Sequence, residues 1–273
     1  MIKNWLVTAD SHGLKNLITR IEAAKNCGYR PEETAFIVLG DLGANFYLND
    51  TDRKWKEKLE ETGFYVYAVR GNHEARPQSL PDMEIIWDKE VQGAVYVENS
   101  FRHIHYFTDY GDYIINGFNC LVVGGAYSVD KWYRLAGRNE NTKSWTGWFK
   151  DEQLTELERT KCKNFLRTYQ NHYDFIFTHT CPISWVPTDL FMPMVDQSTV
   201  DNTMEEFLEE IKNDYVNKDA IWLFGHYHAD RLERPKVQQM YHTIERLDDI
   251  YERWQKDELE EWWVRKSPFY YIK

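Results

Sequence analysis

Five short, apolar, β-rich runs in this chain each lead within a few residues into Asp, Asn or His. The runs and the polar residues that follow them are residues 5–9 with Asp10 and His12, residues 36–39 with Asp41, residues 66–69 with Asn72 and His73, residues 175–177 with His179, and residues 221–224 with His226 and His228. The stretches between the runs carry apolar residues three and four apart, the pattern of amphipathic helices. Strands that alternate with such helices predict an α/β protein.

The domain organisation follows from what separates these elements. No Gly-, Ser- or Pro-rich stretch and no like-charged stretch divides two independently patterned halves, so we expect one domain over residues 1–228. Residues 182–200 contain three prolines together with Met192 and Met194, which suits a long loop. Residues 229–273 are dense in charged residues and hold several aromatics, and we expect an extension docked on the same domain or an interaction surface. Those aromatics include Trp254, Trp262, Trp263, Tyr270 and Tyr271.

The polar residues at the strand ends predict a shared site. In open α/β sheets, strands of one direction bring their carboxyl ends to the edge where ligands bind. In extended chain, residues i and i+2 point the same way, so Asp10 with His12, and His226 with His228, could each present two groups to one site. Carboxylate, amide and imidazole donors without cysteine suit borderline divalent cations such as Mn, Fe, Zn or Co.

Composition limits the partners and the compartment. With 33 Lys and Arg against 44 Asp and Glu, the formal net charge is −11, which disfavours binding to long nucleic acids. The four cysteines form no CxxC pair, which argues against a disulfide framework and favours a reducing cytosol. No apolar run approaches the roughly 18 residues of a membrane span, so we expect a cytoplasmic protein without a membrane partner.

The series DSH, GD, GNHE, FTHT and GHYH resembles the calcineurin-like metallophosphoesterase superfamily, in particular its bacterial and phage members. The resemblance covers Asp10 to His228 and implies a four-layer α/β/β/α sandwich with two mixed β-sheets. It also implies two divalent metal ions, Mn, Fe or Zn, and a catalytic imidazole at His73, which is not expected to be a ligand. By motif, one metal would be held by Asp10, His12 and His228, the second by Asn72, His179 and His226, and Asp41 would bridge them.

The chemistry of such a site predicts the activity. Two neighbouring cations lower the pKa of a bridging water and stabilise the entering and leaving oxygens of an in-line displacement at phosphorus. We therefore expect a metal-dependent phosphoesterase that hydrolyses monoesters or diesters of a phosphorylated small molecule, nucleotide or peptide. The alternatives are a nuclease with a local basic groove and a non-catalytic scaffold of the same fold that acts through protein contacts. A homo-oligomer is compatible with each of these functions.

Two features bear on the substrate and on His73. Phosphoprotein phosphatases place an Asp three residues after the bridging Asp to orient the catalytic His, whereas this chain has Ala44 there. That branch of the superfamily is therefore disfavoured, and the partner of His73 is open.

Arg76 could contact a substrate phosphate or form a surface ion pair. The glycine-led stretch 124–134 follows a strand, and its Tyr127, Trp132 and Arg134 could line a pocket, with base stacking if the substrate is a nucleotide, or its aromatics could pack under the loop.

Overall fold

The structure is a computed structural model that describes residues 1–136, 147–191, 197–233, 236–256 and 271–272. The expectations that concern Met192, Met194, Trp262, Trp263 and Tyr270 lie outside the described residues, as does the side chain of Tyr271.

Fourteen strands and six α-helices make up the described chain. The strands are β1 (Asn4–Thr8), β2 (Thr34–Leu39), β3 (Tyr65–Val69), β4 (Met83–Asp88), β5 (Gly93–Glu98), β6 (Phe101–Phe107), β7 (Tyr110–Ile115), β8 (Phe118–Val123), β9 (Phe175–Thr178), β10 (Ile221–Phe224), β11 (Arg231–Glu233), β12 (Val237–Gln239), β13 (Thr243–Arg246) and β14 (Tyr271–Ile272). The helices are α1 (Leu14–Asn26), α2 (Asp50–Thr62), α3 (Lys131–Ala136), α4 (Glu156–Tyr169), α5 (Thr203–Asp214) and α6 (Leu247–Lys256). Among them, none is both long enough and apolar enough to cross a lipid bilayer.

The strands form two mixed sheets. The first has eight strands in the order β14-β13-β1-β2-β3-β6-β5-β4, with β1, β2, β3 and β6 parallel and β13, β5 and β4 in antiparallel pairings. The second has six strands in the order β11-β12-β10-β9-β8-β7, with a parallel centre and antiparallel strands at both edges.

Side-chain alternation along the strands builds the four layers. In β1, Trp5 and Val7 belong to a core shared with Phe175 and Leu223 of the second sheet, so these faces pack sheet against sheet. Leu6 points the other way, into a core formed with α1 and α2. A third core joins the outer face of the second sheet to α4 and α5. The predicted α/β/β/α sandwich with two mixed sheets is therefore confirmed.

Residues beyond 228 contribute to both sheets where they are described. Strands β11 and β12 extend the second sheet, while β13 pairs antiparallel with β1 of the first sheet. Helix α6 buries Leu247, Ile250 and Trp254 in the core between the sheets. The described residues beyond 228 are thus part of the sandwich. Among them, β13 is the neighbour of β1 on the side opposite to β2.

Candidate metal centre

The strand ends that the sequence singled out meet at one place in the fold. The backbone N–H of His226, after β10, donates to both carboxylate oxygens of Asp10, after β1, at 3.0 and 2.8 Å. The N–H of Gly225 donates to the carbonyl of His179 at 3.0 Å. Both sheets therefore present the carboxyl ends of their parallel strands to a common cleft, as expected for an open α/β sheet.

Asp10, His12 and His228 form one group of converging donors. One ligand atom from each lies within 4.8 Å of the others. The Nε2 atoms of His12 and His228 are 2.7 Å apart. Burial lowers the pKa of both imidazoles, that of His228 to about 4, so both rings are neutral near pH 7 and each has a lone pair to offer. Two neutral imidazoles beside a carboxylate are a donor set that fits a divalent cation.

Asp41 lies at the middle of the cleft. Its Oδ1 accepts hydrogen bonds from the backbone N–H groups of Asn72 and His73, at 3.0 and 2.9 Å. Its Oδ2 lies 3.9 Å from Nε2 of both His12 and His73. Asp41 also groups with Asp10 and His179, again within 4.8 Å. The Asp41 carboxylate is thus common to two donor groups, one with His12 and His73 and one with Asp10 and His179, and its role as a bridging ligand stays a prediction.

The side chains of Asn72 and His179 face each other within the cleft. The Nε2 of His179 lies 2.9 Å from Oδ1 of Asn72, and Nδ1 of His179 donates to the carbonyl of Leu39 at 2.8 Å. The carbonyl contact fixes the ring so that Nε2 points into the cleft. His226 packs its ring 4.9 Å from that of His179 but belongs to none of the groups of close donors among the described residues.

A buried network that sequence reasoning missed orients Asn72. The amide Nδ2 of Asn72 donates to Oγ of Ser128 at 2.8 Å, and this hydroxyl donates to Glu152 at 2.5 Å. The amide oxygen is thereby left on the side of the cleft, where it can act as a ligand. Ser128 lies within the stretch 124–134 that the sequence marked, but nothing in the sequence links Glu152 to it.

The backbone at the site is held in an uncommon conformation. Ten described non-glycine residues have a positive φ, and five of these are predicted ligands. The five are Asp10 (48°), His12 (45°), Asp41 (50°), His226 (68°) and His228 (52°). Such a conformation costs about 1–3 kcal/mol for a residue other than glycine and persists where the surrounding structure enforces it, often at functional sites.

The buried carboxylates shape the electrostatics of the cleft. Burial raises the pKa of Asp10 to about 8, and the nearby charge of Asp41 raises it further. Burial would also raise the pKa of Asp41, but the imidazolium of His179 holds it well below its ordinary value. The two carboxylates in turn raise the pKa of His179 to about 9 against the effect of its own burial. Near neutral pH the cleft without a cation therefore holds a protonated Asp10, an ionised Asp41 and an imidazolium at His179, and a bound cation would favour release of the protons from Asp10 and His179.

His73 stands beside Asp41 with one ring nitrogen unused. Its Nε2 faces the cleft, whereas its Nδ1 is buried and has no hydrogen-bond partner among the described residues. Ala44, at the position where an orienting Asp would stand, is fully buried and offers no polar side-chain atom. Burial lowers the pKa of His73, and the charges that act on it besides Asp41 include Arg134 and Asp130.

Three glycines allow the backbone to pass directly behind ligand side chains. A Cβ atom would collide with His179 at Gly40, with Asp41 at Gly71, and with Asp10 at Gly225. Gly71 has no positive φ, so its requirement for glycine is purely steric.

We expect Gly71→Ala to displace the Asp41 carboxylate and to weaken metal binding by about 10- to 100-fold, the range seen when the support of a metal ligand is lost. Metal content after dialysis at graded free Mn²⁺ would measure this effect. Gly28→Ala is the control for a general loss of stability, because its Cβ would meet nothing within 4 Å while its φ of 94° strains the backbone away from the ligands. Equal metal affinity in Gly71→Ala and the control would contradict the steric argument.

The guanidinium of Arg76 forms hydrogen bonds and ion pairs with other residues of the protein. Its guanidinium binds Asp109 at 3.2 Å and Glu158 at 2.6 Å, and it also donates to the backbone carbonyls of Asp151 and Gln153. Its side chain is 7% exposed. A substrate phosphate would have to displace these partners, so the predicted substrate contact gains no support from this geometry.

The ion pair of Arg76 and Glu158 makes stability depend on pH. Burial would raise the pKa of Glu158, but its bond with Arg76 lowers it from 4.5 to about 2. The stabilisation is therefore complete above about pH 4.5 and is lost as the pH falls towards 2. We expect Glu158→Gln to lower the free energy of unfolding by about 1–2 kcal/mol at pH 7 and by progressively less below pH 4.5.

Urea unfolding of both proteins between pH 7 and pH 3 would measure this difference. Glutamine can still form the capping box that Glu158 makes with Thr155 at the start of α4, so the substitution removes mainly the charge. Glu156→Gln, in the same helical turn but exposed, is the matched control. A difference that stays constant across this pH range would exclude the ion pair as its cause.

The stretch 124–134 divides into a buried and an exposed part. Tyr127 is 4% exposed and lines a cavity that His226 also borders. Trp132 and Tyr133, at 60% and 84% exposed, lie at the surface and do not pack under the loop. Arg134 donates hydrogen bonds to the carboxylate of Asp130 and to the carbonyl of Gly147.

Comparisons with known proteins place the chain in a family. A family model described as calcineurin-like phosphoesterase matches residues 4–230. Among solved structures, the chain is similar to the phosphopantetheinyl hydrolase of Mycobacterium tuberculosis, with 16% identity, a TM-score of 0.42, and coverage of 87% of this chain and 88% of that chain. A search of curated proteins finds no match. The family match takes in every predicted ligand and strands of both sheets, and the chain therefore belongs to the calcineurin-like phosphoesterase family.

Proposed function

We propose that this protein hydrolyses phosphate monoesters or diesters with two divalent cations held in the cleft. The observation that carries the proposal is the overlap of donor groups on shared carboxylates, with Asp10, His12 and His228 on one side and Asp10, Asp41 and His179 on the other. Imidazole, carboxylate and amide donors favour Mn, Fe or Zn as the cations. When bound, such a pair supplies an activated water and neutralises the charge of the phosphoryl group.

The side chains around the cations have separable tasks in this proposal. Asp10, His12 and His228 hold one cation, Asn72, His179 and His226 hold the other, and Asp41 contacts both. The backbone N–H groups of Asn72 and His73 fix the Asp41 carboxylate, and Ser128 turns the amide oxygen of Asn72 inward. These supports hold the ligands in place before a substrate arrives, which avoids reorganisation during the reaction.

His73 is the proposed proton donor to the leaving oxygen. Its Nε2 lies 3.9 Å from Asp41, on the edge of the cation site. Its lowered pKa keeps the ring neutral in the substrate-free protein. A phosphate dianion bound beside it favours the protonated ring, from which the proton passes to the departing alkoxide.

The substrate class is a further part of the proposal. The net charge of −11 supports a phosphorylated small molecule, nucleotide or short peptide over a long nucleic acid. The surface around the cleft, and not the ligand set, decides which of these is accepted.

Hydrolysis of p-nitrophenyl phosphate and of its bis-ester tests the proposal. We expect turnover of at least one ester with Mn²⁺, loss of turnover with a chelator, and a lower Tm in chelator, because cations that bind only the folded state stabilise it. Bound metal without turnover of any ester in a broad panel would favour the scaffold alternative. Turnover confined to DNA or RNA would favour the nuclease.

A further inference from the structure

A cavity of about 510 Å³ opens beside the candidate metal centre. His226, which borders the cavity, is one of the predicted ligands. The volume lies within the range of pockets that bury small organic ligands. The cavity is therefore placed to hold the part of a substrate that extends away from a phosphate at the metals.

The walls of the cavity are mainly aromatic and aliphatic. Three rings of the wall are neighbours: the ring centroid of Tyr227 lies 4.8 Å from that of His226 and 6.3 Å from that of Phe191. The wall also contains the aromatic and aliphatic residues Tyr127, Val129, Ile183, Val186 and Val200 and the uncharged polar residues Thr188, Gln197 and Asn202. Ring faces of this kind bind flat groups by stacking.

One acidic side chain adds a buried acceptor to this wall. Glu205 lines the cavity and is 4% exposed. Its Oε1 accepts a hydrogen bond from the hydroxyl of Thr180 at 2.6 Å, and that hydroxyl also contacts the Tyr227 hydroxyl at 3.0 Å. Its Oε2 is buried and has no hydrogen-bond partner among the residues that the structure describes. A buried acceptor without a partner is costly, so this atom favours a ligand that brings a donor.

The charge of the lining excludes a second phosphate. Among the described residues that border the cavity there is no Lys or Arg, and Glu205 is the one carboxylate. An anionic group would be repelled by Glu205 and would find no cation there. The cavity suits an uncharged ring that carries a hydrogen-bond donor.

We propose that this cavity receives the organic portion of the substrate, a nucleoside or a similar flat heterocycle with an N–H donor, while the phosphate lies at the metals. The heterocycle stacks against Tyr227 and Phe191, and its donor binds Oε2 of Glu205. The assignment rests on the proposed function for the position of the phosphate. The affinity of the cavity for the heterocycle itself does not depend on that function.

Binding to chelator-treated protein tests the cavity without the metals. We expect saturation-transfer NMR to show ring-proton contacts for adenosine, weaker contacts for purine riboside, which lacks the exocyclic amine, and none for ribose. Val200→Phe, which fills the cavity, abolishes the adenosine signal, whereas Leu157→Phe, on the exposed face of α4, leaves it unchanged. Equal signals from adenosine and ribose, or an undiminished adenosine signal in Val200→Phe, would overturn the proposal.

The polar contact has its own matched pair of variants. Glu205→Gln keeps an acceptor for Thr180 but puts an N–H₂ donor in place of Oε2. We expect it to reduce the preference for AMP over purine riboside 5′-phosphate by about 10-fold or more in kcat/KM, since leaving buried polar groups unpaired is strongly discriminating. Glu206→Gln, exposed on the same helix, keeps the preference. An unchanged preference in Glu205→Gln would remove Glu205 from the assignment.

The phosphoesterase function and the role of the cavity can be refuted independently of each other. Nucleoside binding without hydrolysis of any ester would refute the proposed function and leave the cavity as a binding site. Hydrolysis of AMP, ribose 5-phosphate and p-nitrophenyl phosphate with equal kcat/KM would support the phosphoesterase and refute the role of the cavity.

Discussion

Replacement of Asp41 by Ala is expected to strip the protein of bound metal and to lower kcat/KM by about 10,000-fold or more, because metal activation of water is the main source of rate in such a site. Asp41 is 1% exposed and is shared between the donor groups. Its loss also frees the N–H groups of Asn72 and His73, which its carboxylate binds. Ligands on both sides of the cleft therefore lose their support at once.

Metal analysis after gel filtration and steady-state kinetics with Mn²⁺ measure the two effects together. Asp112→Asn is the control, because Asp112 is a part-buried carboxylate that binds Asn171 and Tyr173, away from the cleft. Full metal content in Asp41→Ala would show that Asp41 does not bridge two cations.

Replacement of His73 by Ala is expected to lower kcat by about 100- to 10,000-fold, the usual contribution of a positioned acid or base, while metal content is retained. The reason is the geometry of the ring: its Nε2 faces the cleft, while two of the donor groups, Asp10 with His12 and His228 and Asp10 with Asp41 and His179, form without it. Because His73 also lies within 4.8 Å of His12 and Asp41, metal content decides between a proton donor and a ligand.

Leaving-group dependence sharpens this test. An ester with a good leaving group, such as p-nitrophenyl phosphate, needs less protonation, so it should lose less rate in His73→Ala than an alkyl phosphate. His103→Ala is a control outside the cleft, since His103, on β6 of the first sheet, pairs with Glu60 of α2. Metal depletion equal to that of Asp41→Ala would make His73 a ligand.

The sequence predicted the strands that are buried on both faces, because such a strand is a continuous run of apolar residues. Residues 36–39 and 221–224 proved to be the buried parts of β2 and β10, and the helical spacings correspond to α1, α4 and α5. The strands β4 to β7 were not predicted, because they are exposed on part of their surface. In β4, the apolar run Ile85, Ile86 and Trp87 is only partly buried, with Ile85 and Trp87 58% and 73% exposed, so the run by itself does not identify a strand of the sandwich.

The site was predictable to the extent that its groups follow strands. Strand ends gather residues from distant parts of the chain, and this is how Asp10, Asn72 and His228 could be linked. The support of Asn72 by Ser128 and Glu152 was not predictable, since it depends on a loop that approaches from elsewhere. The same applies to the cavity beside His226, whose walls come from four separate segments.

The pairing of β13 with β1 has a consequence for biosynthesis. On the ribosome, β1 can dock against β2 early, but its other edge stays open until residue 246 has been made. An open edge is a template for pairing with another chain. Slow translation or starvation should therefore expose this protein to co-translational aggregation, and chaperones that shield nascent strands should raise its soluble yield more than those that act after release.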